Sequence, residues 1–247
     1  MKSTQSFLEQ RIFFLTSSSI KDHAEVVKLL SQKPEYLETF TTYSPAHRFI
    51  VAEVTDKSLS FSVRDEDGSI FAMALGENPK ILECDRVATS RGVEVDLDNF
   101  IHRADWDFYS IDTHSFAKFE SSDEAINHEE VKALLEAHAP NSSVWPGNEE
   151  VLLWGAIRED DQLVATGALV KWRTGEVMFA SIATHADYRS KGLAQTLVSR
   201  MLSTANGRGI AHVGLGVFAG NVSAKRAYEK VGFSLIGEFS SYQRKEK

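Results

Sequence analysis

Ser181-Ile-Ala-Thr-His-Ala-Asp-Tyr-Arg-Ser-Lys-Gly-Leu-Ala194 and, after a long amphipathic run, Asn221-Val-Ser-Ala-Lys-Arg-Ala-Tyr-Glu-Lys-Val-Gly-Phe233 are the segments that decide the fold. They read as strand, glycine turn, helix, strand and capped helix. In the first, Leu193, Leu197, Val198, Met201, Leu202 and Ala205 recur at helical spacing, so a helix starts in the loop Arg189, Ser190, Lys191, Gly192. The first amides of a helix have no intrahelical partner and carry the positive end of its dipole, which suits a phosphate. Gly192 lets a backbone approach closely, and Arg189 and Lys191 add charge. Taken alone, the same turn reads equally as an ordinary strand-to-helix connection with solvated basic residues.

The second segment adds a constraint. Asn221 is a good N-cap, Ala224, Ala227, Tyr228 and Val231 share a helical face, and Gly232 is placed as a left-handed C′ residue. Arg-x-x-Gly-x-Ala and Asn-x-x-Ala-x-x-x-Tyr-x-x-x-Gly-Phe thus occur in order, about one strand apart. This pair resembles the GNAT superfamily of acetyl-CoA-dependent N-acetyltransferases, over roughly residues 127–242. The resemblance implies an α/β (α+β) fold with a mixed, mostly antiparallel central sheet flanked by helices. It implies binding of acetyl-CoA by the backbones of Ile182, Ala183 and Thr184 and by Arg189, Ser190, Lys191, Gly192, Leu193, Ala194 and Asn221. The acceptor is then a primary amine of a small molecule or peptide. A homodimer is left open.

Composition sets the outer bounds. The chain has 247 residues, 43% of them hydrophobic, enough for a substantial core in one large domain or two smaller ones. Lys and Arg number 27 against 35 Asp and Glu, a net charge of −8 that argues against nucleic acid or an anionic membrane as partner. Cys84 is the single cysteine, so no intrachain disulfide and no sulfur-rich metal site are expected. No apolar run approaches the roughly 20 residues needed to span a bilayer, and the N-terminus lacks a signal-peptide core. These features predict a cytoplasmic protein.

Working outward, a capping-box pattern at Ser19 to Asp22 predicts a short helix that stops near Pro34. Phe49 to Val54 reads as a strand, and Leu59, Phe61 and Val63 alternate before Asp65-Glu-Asp-Gly68 turns the chain into Ile70 to Leu75, a hairpin. Val93 and Val95 hint at a strand, and Asp98 to Asp107 reads as loop or short helix. Asn127 and Glu130 form a second capping box before Val131, Leu134, Leu135 and His138, a helix ended by Pro140-Asn-Ser-Ser143. Val151 to Ile157 and Leu163 to Trp172 form another hairpin, and Thr174-Gly175 leads into a third strand, Glu176 to Thr184.

A shift of about 94 positions lays the second hairpin on the first: Val63-Arg-Asp-Glu-Asp67 matches Ile157-Arg-Glu-Asp-Asp161, and Ile70, Ala74 and Leu75 match Val164, Ala168 and Leu169. The match suggests a diverged duplication; coincidence between two acidic turns is the competing account. The missing phosphate turn of the first half would fall near Val95. This tandem arrangement is similar to that of glycine N-acyltransferases with a degenerate first half. We accordingly divide the sequence into a smaller α+β N-terminal domain, 1–118, and an acetyltransferase domain, 119–247, with the boundary within His114 to Asn127, where Ser121-Ser-Asp123 is polar.

Acetyl transfer from a thioester requires a neutral amine, a polarised carbonyl and a protonated leaving thiolate. Tyr228 is a candidate proton donor, since a phenol with a reference pKa near 10 is protonated at neutrality; the resemblance implies the same role, and a plain core aromatic is the alternative. Glu176 is the candidate base on the strand, although family enzymes carry that glutamate about two residues nearer the turn, at Met178 here. Glu149, Glu150, His185 and Asp187 are rivals, and removal of the proton through water needs no dedicated base.

Two other function classes compete. An acyl-CoA-binding or regulatory module would keep the fold without turnover. Gly214-Leu-Gly216-Val-Phe-Ala219, with Glu238 beyond it, matches a dinucleotide-binding pattern and would suit an oxidoreductase, but only Ala211-His-Val213 precedes it as strand and no further βαβ unit follows.

Overall fold

The computed structural model describes residues 19–119, 126–172 and 174–246. The chain packs as two compact units, one built from 1–106 with 236–247 and the other from 107–235. Ser121-Ser-Asp123, the expected boundary, lies outside the described residues.

In the first unit, β1 (Ser19–Ile20) precedes α1 (His23–Leu30) and α2 (Pro34–Tyr43). Asp22 caps α1, its carboxylate accepting from the amides of Ala24 and Glu25. The expected box with Ser19 is therefore corrected: Ser19 belongs to the strand. α1 ends at Leu30, near Pro34 as expected, and Pro34 itself starts α2 at its first turn, where the missing N–H costs nothing. β2 (Phe49–Val54), β3 (Ser58–Arg64) and β4 (Ile70–Gly76) form an antiparallel meander, in full register from Ser58↔Gly76 to Arg64↔Ile70 in the expected hairpin. β5 (Arg86–Ser90) then runs parallel to β4.

Two strand expectations fail here. Val93 and Val95 lie in coil, and the strand is β5, just before them. Asp98 to Asp107 is neither loop nor helix: β6 (Phe100–Asp112) is a strand of 13 residues. Aspartates disfavour strands in general; those of β6 have specific partners, Ser240 for Asp105 and Lys225 for Asp107. β11 (Ser234–Arg244) pairs antiparallel with β5 from Phe239↔Ser90 to Gln243↔Arg86.

The second unit holds α3 (His128–His138), β7 (Val151–Glu159), β8 (Gln162–Lys171), β9 (Val177–Thr184), α4 (Leu193–Gly207), β10 (His212–Phe218) and α5 (Val222–Val231). Its strands lie in the order β6-β10-β9-β8-β7. β7, β8 and β9 form an antiparallel meander and β10 is parallel to β9, so the sheet is mixed and mostly antiparallel, as expected. Asp160 and Asp161, both left-handed, make the tight β7–β8 turn. Asn127 caps α3 through the Glu129 amide, whereas Glu130 turns outward to Arg158 in place of closing a reciprocal box. The apolar face of α4 is buried as its periodicity predicts, with Leu197, Val198, Met201, Leu202 and Ala205 packed on Val164, Leu169, Phe179, Val213 and Leu215. Burial of each large side chain of this kind stabilises the fold by about 2 kcal/mol.

Each unit thus contains a three-stranded meander followed by a strand parallel to its third member. By connectivity β4 corresponds to β9, whereas the 94-residue shift lays β4 on β8; the two registers differ. The crossover from β4 to β5 is residues 77–85, without a helix, where the crossover from β9 to β10 carries α4.

Candidate active site

The site begins where β9 and β10 part. They pair at Gly214↔Met178 and Leu215↔Phe179, after which β9 continues to Thr184 and β10 to Phe218 without further pairing to each other. On its other side β9 remains paired with β8 through Ala165↔Thr184, with an irregularity between Thr166 and Ala168. The extra residue of that irregularity is Ser181, left-handed at φ 53. The amide of His185 donates to Val164 of β8. Backbone groups alternate sides along a strand, so the N–H and C=O of Thr184 face the edge left open toward β10. The Thr184 carbonyl accepts from Arg189 Nε at 3.3 Å on that edge.

The open edge leads into the turn 189–194. Ser190 (φ 62) and Gly192 (φ 79) are both left-handed, an alternation that gathers successive amides into an anion-binding concavity. Gly192 is the N-cap of α4 and offers no side-chain acceptor, so the amides of Leu193 and Ala194 have no capping side chain. Asp22, Asn127 and Asn221 cap α1, α3 and α5. The exposed Arg189 side chain folds back along the surface, its Nη2 donating to the His138 carbonyl at 3.4 Å, so it braces the turn against the end of α3. Lys191 Nζ lies 4.5 Å from the Tyr188 ring centroid in a cation–π contact.

Asn221 Oδ1 accepts from the Ala224 amide at 3.2 Å, which occupies the oxygen in capping and leaves the amide nitrogen for a ligand. Tyr228 is buried in the core beside Phe233, and burial pushes its phenol up to about 12. Among the described residues its hydroxyl has no hydrogen-bond partner, and it stays protonated throughout the physiological range.

The remaining candidates separate. Glu176 lies in the turn before β9, four residues ahead of the open stretch, which is about 13 Å along a strand. Met178, where a family glutamate was expected, is buried. His185 packs against His138 with ring centroids 4.4 Å apart and the planes tilted by 57°, and its Nδ1 accepts from the Asp187 amide. Desolvation, then His185 and Arg189, hold the His138 imidazole below its usual range. Both histidines lie at the Arg189 end of the open edge. Glu149 and Glu150 lie on the loop before β7.

Sequence reasoning missed Ser181 and its partner loop. Ser181 Oγ donates to the Val144 carbonyl at 2.6 Å and accepts from the Val144 amide at 3.2 Å. No residue-type signal announces a left-handed serine inside a strand. His138 was visible only as a helix-face residue.

The dinucleotide reading is corrected. Gly214 and Gly216 lie within β10, in extended backbone and not in a turn. A Cβ on Gly214 would come within 2.6 Å of Met178 Sδ and 2.8 Å of the Phe108 ring, so this glycine answers to packing. Glu238 is paired with Arg91. Among the described residues no group of His, Cys, Asp and Glu side chains could hold a metal, and no helix is long and apolar enough to cross a membrane.

An open parallel edge running into an uncapped, left-handed strand-to-helix turn is the arrangement expected of an acyltransferase, and residues 106–233 match the model of the Acetyltransferase (GNAT) family. The chain belongs to this family, whose members use acyl-CoA as donor. It is 30% identical over 95 residues to the uncharacterized N-acetyltransferase YsnE of Bacillus subtilis (strain 168), a match covering 38% of this chain and 62% of that protein. The chain therefore spans about six-tenths of the length of that curated relative. A GCN5-related N-acetyltransferase from Sphaerobacter thermophilus shares the fold at TM-score 0.52 and 12% identity, covering 85% of this chain and 84% of that one. One from Kribbella flavida does so at TM-score 0.50 and 16% identity, covering 90% and 96%.

Proposed function

We propose that the protein is an N-acetyltransferase that moves the acetyl group of acetyl-CoA to a primary amine of a small molecule or peptide by direct attack. The observation that carries this reading is the open edge of β9 from Ala180 to Thr184, continuous with the uncapped turn at Gly192. The backbone groups of Ile182 and the amide of Thr184 would pair with the extended arm of the donor, as an added strand pairs with a sheet edge. The α4 amides at Leu193 and Ala194 would hold its phosphates, with Arg189 and Lys191 supplying positive charge and Asn221 a side-chain amide.

The donor supplies a thioester. The amine nitrogen bonds to the thioester carbon, the carbon–sulfur bond breaks, and Tyr228 gives its proton to the departing sulfur. Backbone amides at the vertex where β9 leaves β10 polarise the carbonyl. At about 13 Å from the open stretch, Glu176 would accept the amine's proton only through a chain of water. That distance favours a second reading, an acyl-CoA-binding module without turnover.

We also propose that 1–118 is a degenerate repeat of 119–247, supported by the meander and parallel strand in each unit, and that it binds no second donor because its 77–85 crossover lacks a helix. Release of free thiol from acetyl-CoA across an amine panel tests the function. Saturable acetyl-CoA binding without thiol release would select the binding module, and unchanged binding by a Gly192→Trp/Arg189→Glu protein would remove the assigned site.

A further inference from the structure

α5 is lightly anchored for a helix that carries a reacting group. Tyr228 is its one buried side chain, while Ala224 and Val231 are only partly covered by the core. Apolar burial is non-directional, so contacts this sparse do not set where along the sheet the helix sits. Nor does a hydrogen bond among the described residues fix the tip of Tyr228. The place of its hydroxyl therefore follows from the place of the helix.

Two polar contacts with β6 set that place. Asp107 and Tyr109 are two residues apart and share one face of the strand. Asp107, its side chain fully buried, is ion-paired with Lys225, and the Tyr109 hydroxyl donates to Glu229 Oε1 at 3.0 Å. Two residues of strand advance about 6.6 Å and four residues of helix about 6 Å, so the two rows keep step. Ile111 extends the row, since a Cβ on Gly232 would lie 3.6 Å from its Cδ1. Tyr228 falls between Lys225 and Glu229. A slip of α5 by one residue, about 1.5 Å along the axis and 100° around it, would break both polar contacts. A buried ion pair adds little stability over an apolar pair, whereas fixing a register is the use for which such pairs are best attested.

We propose that Asp107 and Tyr109 are positioning residues for Tyr228. Through Lys225 and Glu229 they hold α5 in the register that brings the phenol to the departing sulfur. This rests on the reading of Tyr228 as proton donor.

Fluorine NMR of the full chain labelled with 3-fluorotyrosine, in saturating coenzyme A, tests the register without an acceptor. The Tyr228 line is assigned by its loss in Tyr228→Phe. It should broaden at least twofold or split in Tyr109→Phe and in Glu229→Leu. In Glu229→Gln, whose amide oxygen still accepts from Tyr109, it should match wild type. In thiol release with the amine that the panel identifies, Tyr109→Phe, Glu229→Leu and the double variant Asp107→Leu/Lys225→Met should each lower kcat about tenfold. Acetyl-CoA affinity should stay within about twofold. Added to Tyr228→Phe, Tyr109→Phe should lower kcat by less than twofold, because the group it positions is gone. An unchanged Tyr228 line in both Tyr109→Phe and Glu229→Leu would overturn the proposal, as would a full tenfold loss on top of Tyr228→Phe. Wild-type kcat in Tyr228→Phe alone would instead strike the proton-donor reading, and the Tyr228 line would still decide the register.

Discussion

Ser181 and Val144 grip one another through both backbone groups of Val144, at 2.6 and 3.2 Å. Ser181 is held left-handed at the point where β9 bulges, so the loop after α3 is fastened to the strand edge on which the site is built.

Removing that grip separates two contributions. Ser181→Ala loses both hydrogen bonds and keeps the unfavourable φ, and should cost about 2 kcal/mol. Ser181→Gly loses the bonds but suits the backbone, and should cost about 1 kcal/mol. Urea unfolding of the two variants decides, and glycine proving the more damaging would refute this account of the bulge.

Gly192 is a purely conformational position, because a Cβ there would meet nothing within 4 Å. Gly192→Ala should therefore act through its left-handed φ of 79°, a strain of about 1–2 kcal/mol, and lower donor affinity by about tenfold. Asparagine, which tolerates this region, should lie nearer wild type. Titration with coenzyme A checks the order glycine, asparagine, alanine.

Tyr228→Phe should lower kcat by about a hundredfold with little change in donor affinity. The phenol also links stability to alkaline pH. Its folded pKa of about 12 exceeds the unfolded value of 10.0, so its contribution is complete below pH 10 and is lost as pH rises toward 12. Two pH units correspond to about 3 kcal/mol. Tyr43 and Tyr36 are raised as well, so the alkaline loss should shrink in Tyr228→Phe without vanishing. Unfolding midpoints at pH 9 and 11 measure the difference, and parallel slopes for the two proteins would contradict it.

Lys225 of α5 is ion-paired with Asp107, whose side chain is fully buried. Lys225→Met leaves that carboxylate buried without its cation and should cost about 3–5 kcal/mol. Adding Asp107→Leu should recover most of the loss, since an apolar pair of similar size is nearly neutral. Thermal unfolding of the single and double variants gives the coupling, and additive losses would show that the pair does not act as a unit.

What the chain states about itself is local. The periodicity of α4, the cap at Asn221, the left-handed Gly232 and the tight turns of both hairpins are all properties of a few neighbouring residues, and each was legible. So was the ordered pair of motifs that marks the family. β6 was not, because Asp105 and Asp107 in its middle find Ser240 and Lys225 more than a hundred residues away. The short helix that stops before Pro34 was legible, but α2 was not, because a proline that follows one helix can also open the next. The parting of β9 from β10, the left-handed Ser181 with its hold on Val144, and the distance of Glu176 from the open edge belong to tertiary structure alone. Each depends on which strand edge is left unpaired, and pairing between distant segments leaves no period in the sequence.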